Sequence, residues 1–171
     1  MTDQTCGTVS INRKLFSLTV TVLTGLALAF LLAAGLPALI YSLRASSLFQ
    51  DNRSLWLEKG SSSYDMVVYS NSPTQPTGGR NALQVRDGRV VKADNPNCPN
   101  CSLNEFGLLT VEALFERVDT ECIRGFPFQY CNVAYDPILG YPRRIDTYPY
   151  DLGGRERPSI TVESVIPAAA K

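Results

Sequence analysis

From Leu15 to Leu43 the chain runs 29 residues without a charge, most of them Leu, Ala, Val, Ile, Phe or Thr. Nothing else in the 171 residues resembles this stretch. It constrains the fold strongly, because a helix rises about 1.5 Å per residue and about 20 apolar residues match the roughly 30 Å hydrocarbon layer of a bilayer. The expectation is one transmembrane helix over residues 15–43. Pro37 lacks an N–H and sits where it kinks or ends that helix, and Tyr41 falls near an interface. A cleaved signal peptide competes for the same run, since Arg13 and Lys14 precede it, but signal-peptide apolar cores are only about 7–15 residues long. Cys6 lies before the run, which leaves no lipoprotein attachment box.

Two cations, Arg13 and Lys14, flank the run on its amino side and one, Arg44, on its carboxyl side. Positive-inside reasoning then keeps the amino terminus in the cytoplasm and exports the rest. The resulting plan is a cytoplasmic tail over 1–14, the membrane helix over 15–43, a linker over 44–47, an extracytoplasmic α+β domain over 48–167 and a short tail over 168–171. Location at the cell membrane follows, with the lipid bilayer as partner through Leu15 to Leu43 and a membrane protein as a second partner.

The chain has no histidine, which removes Ser-His-Asp and Cys-His catalysis, His-ligated metals and axial-histidine haem. Its 16 basic and 16 acidic residues balance, so no whole-chain electrostatic footprint for nucleic acid exists. Residues 45–171 carry 13 basic and 15 acidic side chains, a mildly acidic balance suited to an envelope domain. No catalytic residue, cofactor site or metal site can be nominated, and the reading leans away from an enzyme.

Four of the five cysteines fall in the exported part: Cys98, Cys101, Cys122 and Cys131. An even number in an oxidising compartment reads first as two disulfides. Three pairings are open, with Cys98–Cys101 and Cys122–Cys131 favoured because Cys122 lies near the end of a predicted helix and Cys131 in the next predicted strand. A four-cysteine zinc site fits poorly, since eight residues separate Cys122 from Cys131. A redox-active Cys-Pro-Asn-Cys pair is the sharper alternative, and it makes a thiol–disulfide oxidoreductase the competing function. The nearest secure predicted helix begins only around Thr110, too far from Cys101 for its dipole to activate a thiol.

Periodicity gives the remaining elements. Leu48, Leu55 and Trp56 mark a short helix over Leu48 to Lys59, stopped by Gly60. Tyr64 to Ser70 reads as a strand. The Pro- and Gly-rich residues 71–81 form a loop, and Asn81 to Ala93 form a hairpin turning on Asp87-Gly88. In that hairpin Val85 faces Val90, and Arg86 faces Arg89 as a solvated like-charge pair. Thr110 caps a second helix with apolar positions Val111, Leu114, Phe115, Val118 and Cys122, ended by Gly125. Its acidic face, Glu112, Glu116, Asp119 and Glu121, reads as solvated surface. Strands follow at Phe128 to Tyr135, Arg143 to Tyr148 and around Ile160 to Ser164, with Gly153, Gly154 and Pro158 in the last loop. The class is α+β, in the order α-βββ-α-βββ: after the membrane helix, an antiparallel sheet of about six strands carries two helices.

The stretch from Tyr135 to Ile145, Tyr-Asp-Pro-Ile-Leu-Gly-Tyr-Pro-Arg-Arg-Ile, resembles the signature of a bacterial envelope family, of lipoprotein type, catalogued as a domain of unknown function. Further matching motifs are Trp56 with Ser63-Tyr64, the Val85 to Val91 hairpin, and Thr110 to Phe115. The resemblance implies an exported, membrane-tethered α+β domain, commonly on a lipoprotein anchor, and no established reaction. This chain departs from it in having an apolar run rather than a lipid-attachment cysteine, and in lacking the cysteines many relatives carry between their first two strands.

The Tyr-Asp-Pro-x-x-Gly-Tyr-Pro segment reads physically as a rigid turn, with Pro137 fixing φ, Asp136 accepting backbone hydrogen bonds and Gly140 taking a left-handed conformation. A partner surface built from Tyr135, Tyr141, Arg143 and Arg144, with Tyr148 and Tyr150 nearby, is the alternative. The functional expectation is a non-catalytic binding or structural module, an accessory subunit of a membrane complex.

Overall fold

The computed structural model describes residues 13–71, 77–126, 129–149 and 158–168. Cys6, Pro73, Pro76, Phe128, Tyr150, Gly153 and Gly154 lie outside the described residues, as does most of the expected amino-terminal tail. The chain divides into two compact units, Met1–Tyr41 and Ser42–Lys171.

The first helix corrects the reading of residues 15–43. Among the described residues no helix is long and apolar enough to cross a membrane. The uncharged run belongs to one 47-residue helix, α1, Arg13–Lys59. This helix runs through residue 37 and through residues 44–47, and ends in turns carrying Asp51, Arg53, Glu58 and Lys59. The uncharged residues are not a self-contained segment, because the helix that holds them continues into the polar turns of Leu48 to Lys59.

In the second unit the expected α+β arrangement is present. Six strands, β1 Tyr64–Asn71, β2 Gly79–Arg86, β3 Arg89–Asp94, β4 Gln129–Tyr135, β5 Pro142–Pro149 and β6 Ser159–Pro167, form one antiparallel sheet in the order β3-β2-β1-β6-β5-β4. Two hairpin-built triplets therefore meet along β1 and β6, the first strand and the last. The hairpin keeps its predicted register, Val85 opposite Val90 and Arg86 opposite Arg89. Asp87 (φ 50°) and Gly88 (φ 73°) supply the positive angles that its two-residue turn requires. Arg86 is not simply solvated, because its Nη2 lies 2.8 Å from Asp65 Oδ1 and its Nη1 donates to the Tyr64 and Val85 carbonyls.

Between β3 and β4 the chain forms α2 Leu103–Phe106, a 3-10 turn at Gly107–Leu109, α3 Val111–Arg117 and a π-helical turn at Val118–Ile123. Thr110 Oγ1 accepts from Ala113 N–H at 3.3 Å, the predicted cap. Val111, Leu114, Phe115, Val118 and Cys122 are all buried, as their period requires. The wider final turn, with Arg124 N–H donating to the Asp119 carbonyl five residues back, was not legible from that period.

One core joins these helices to one face of the sheet. Phe49 and Trp56 of α1, two turns apart, meet Tyr64, Met66 and Val68 of β1, Leu83 and Val85 of β2, Ile145 of β5 and Ile160 and Val162 of β6. Phe49 and Phe115 pack edge to face at 6.0 Å between ring centroids.

Candidate functional site

Two features stand out: a cluster in which the family-like motifs converge, and a groove on the opposite face of the sheet. In the cluster, Tyr64 is fully buried; its hydroxyl donates to Glu112 Oε2 at 2.7 Å and accepts the N–H of Val111, first residue of α3, at 3.0 Å. Trp56 Nε1 donates to the other Glu112 oxygen at 3.4 Å. One carboxylate thus ties α1, β1 and α3 together, so Glu112 does more than solvate its helix. The Trp56 ring packs edge to face on Tyr64 (5.6 Å) and on Tyr141 (6.2 Å). Burial first, then the hydrogen bond and charge of Glu112, hold the Tyr64 phenol well above its ordinary value, so it stays protonated and supplies no phenolate chemistry.

The neighbouring turns lock in the same way. Asp136 Oδ1 accepts from the N–H groups of Ile138 and Leu139 at 3.0 and 2.9 Å. Gly140 (φ 80°) lies against the Asn52 carbonyl and Leu55 of α1, where a side chain would collide. Ser63 Oγ accepts the Asp87 N–H at 3.1 Å, and the Ser62 carbonyl accepts from Gly88, fastening the hairpin turn to the start of β1.

The four residues Tyr135, Tyr141, Arg143 and Arg144 differ in burial. Tyr141 is 5% exposed and belongs to the core. Tyr135 is half-buried and stacks on Phe115 at 6.4 Å, and burial pushes its phenol up as well. Arg144 is exposed and holds Asp146 through its Nε at 2.8 Å. Arg143 is the exposed extra residue of a bulge, for Ala134 pairs with Arg144 and Tyr135 with Pro142. Tyr148 lies beside Tyr130, 5.7 Å between rings.

The cysteines form the favoured pairs, Cys98–Cys101 and Cys122–Cys131, with Cα separations of 5.4 and 5.3 Å. A helix does begin near the first pair, since α2 starts at Leu103, but it is a single turn.

On the opposite face of the sheet lies a groove of about 230 Å³. Two cross-strand rows line it, Lys92-Gln84-Asp65-Ile166 and Asp94-Ala82-Val67-Ser164. Small Ala82 and Val67 at its centre give it depth, and charged residues stand at the β3 side. No motif marked this groove, because alternate residues of four strands assemble it only after the sheet forms.

A model for the family of unknown function DUF6174 matches residues 48–152. The chain belongs to that family. The match to DUF6174 covers most of the sheet-bearing unit, including Trp56, Tyr64, Glu112 and the Asp136–Tyr141 turn. No curated protein matches the chain, and no solved structure does.

Proposed function

We propose that this DUF6174 domain is a non-catalytic binding module that works in an oxidising, extracytoplasmic compartment as the accessory partner of an envelope protein. One observation carries the reading: the residues that characterise the chain are spent on each other. Trp56, Ser63, Tyr64, Glu112, Asp136, Gly140 and Tyr141 all engage in mutual packing or in turn hydrogen bonds. A catalytic centre would instead turn such groups toward a cavity. The two disulfides support the compartment. The resemblance to envelope proteins of lipoprotein type points the same way.

The partner would dock on the outer sheet face, where Tyr69 is 45% and Ile166 64% exposed beside the groove. Affinity capture of the full chain from its native cells, repeated with Val67→Arg, tests this. The expected result is a reproducible co-purifying protein that the variant loses while its melting midpoint is unchanged. Equal recovery with both forms, or no reproducible partner, refutes the proposal.

A further inference from the structure

The two disulfides occupy opposite physical situations. Cys122 and Cys131 are 5% and 4% exposed and join the π-helical turn to β4 inside the core. Cys98 and Cys101 are half-buried, and Pro99 and Asn100 between them are exposed.

The short segment they close is also held independently at each end. On its amino side Asn95, itself buried, donates from Nδ2 to Asn81 Oδ1 at 2.7 Å, and its Oδ1 accepts the Asn97 N–H at 2.7 Å. Asn81, fully buried, donates in turn to the carbonyls of Thr77, Gly79 and Val68. On the carboxyl side the Ser102 N–H donates to Glu105 Oε2 at 2.7 Å, closing the first turn of α2, and Phe106 anchors that turn in the core. These contacts hold the segment in the folded state without the bridge, and the bridge closes the shorter of the two loops, so it removes less entropy from the unfolded chain than Cys122–Cys131 does.

We propose that Cys98–Cys101 is an exchangeable redox bridge, opened and closed by a dithiol protein, while Cys122–Cys131 is permanent. Cys101 packs against the core, which makes Cys98 the sulfur to attack. A thiolate of the dithiol protein bonds to Cys98 Sγ, the Cys98–Cys101 bond breaks, and its electron pair leaves on Cys101 Sγ, which takes up a proton. The second thiol of the dithiol protein, as its thiolate, then attacks the mixed disulfide, closing its own disulfide and releasing Cys98 as a thiol. Two electrons and two protons pass to the bridge in all. The inference goes beyond the binding module and does not depend on it.

Timed reduction of the full chain by dithiothreitol, a small dithiol, with alkylation and mass spectrometry of each cysteine, tests the proposal on the isolated protein. Cys98 and Cys101 are expected to become alkylated at least about tenfold faster than Cys122 and Cys131, as exposure governs exchange, with the circular dichroism of the fold retained. The double variant Cys98→Ser with Cys101→Ser is expected to lose clearly less in melting midpoint than Cys122→Ser with Cys131→Ser, because its bridge closes the shorter loop. Simultaneous opening of both bridges, opening only in denaturant, or a melting loss in the double variant matching that of Cys122→Ser with Cys131→Ser would overturn it.

Discussion

Gly140 illustrates how much one position carries. Its φ of 80° is a conformation that side chains resist, and the space where a Cβ would stand is filled by the Asn52 carbonyl and Leu55. Gly140→Ala combines both penalties, and should cost about 1–3 kcal/mol in chemical denaturation, whereas Gly88→Ala meets open space at φ 73° and should cost less. Equal losses would show that the close approach to α1 contributes nothing. The glycine itself was legible, since Asp-Pro-x-x-Gly is turn chemistry. Its neighbour was not: nothing along the chain says that residue 140 lies against residue 52. The bonds to Glu112, which is exposed as its helix face predicts, are hidden for the same reason. On a helical wheel Glu112 belongs with Glu116 and Asp119, and only a phenol and an indole brought by two other elements single it out.

Among the elements, alternation and turn chemistry placed all six strands and the hairpin register, because period two and positive φ are local properties. The helices were less legible. The apolar run and the short helix over Leu48 to Lys59 are one continuous α1, for neither Pro37 nor residues 44–47 end it. The turn after α3 is π rather than α, and from it Cys122 is bonded to β4. Removing that bond by Cys122→Ser with Cys131→Ser should cost about 2.5–3 kcal/mol in the chain-entropy model for a loop of about ten residues. A loss below about 1 kcal/mol in urea unfolding would mean that packing alone holds the turn on the strand.

Across the whole domain the decisive event is the pairing of β1 with β6, which joins strands from opposite ends of the domain through the register Tyr64 opposite Pro167 to Asn71 opposite Ser159. Local unfolding starts where fewest contacts must break, so central strands outlast edges. Hydrogen exchange should therefore be slowest in β1 and β6 and fastest in the edge strands β3 and β4; a stable β3-β2-β1 triplet with an exchanging β6 would show that the halves fold separately. The sequence by itself determined the class, the strands, the capped helix and the favoured cysteine pairs, since periodicity, turn chemistry and short-range tethers act between near neighbours. Tertiary structure alone decided the junction of the two triplets, the Trp56–Tyr64–Glu112 lock, the burial of Tyr141 in the core, and the groove on the outer face. Each of these depends on which distant residues share a layer, and burial sets that through the whole sheet at once.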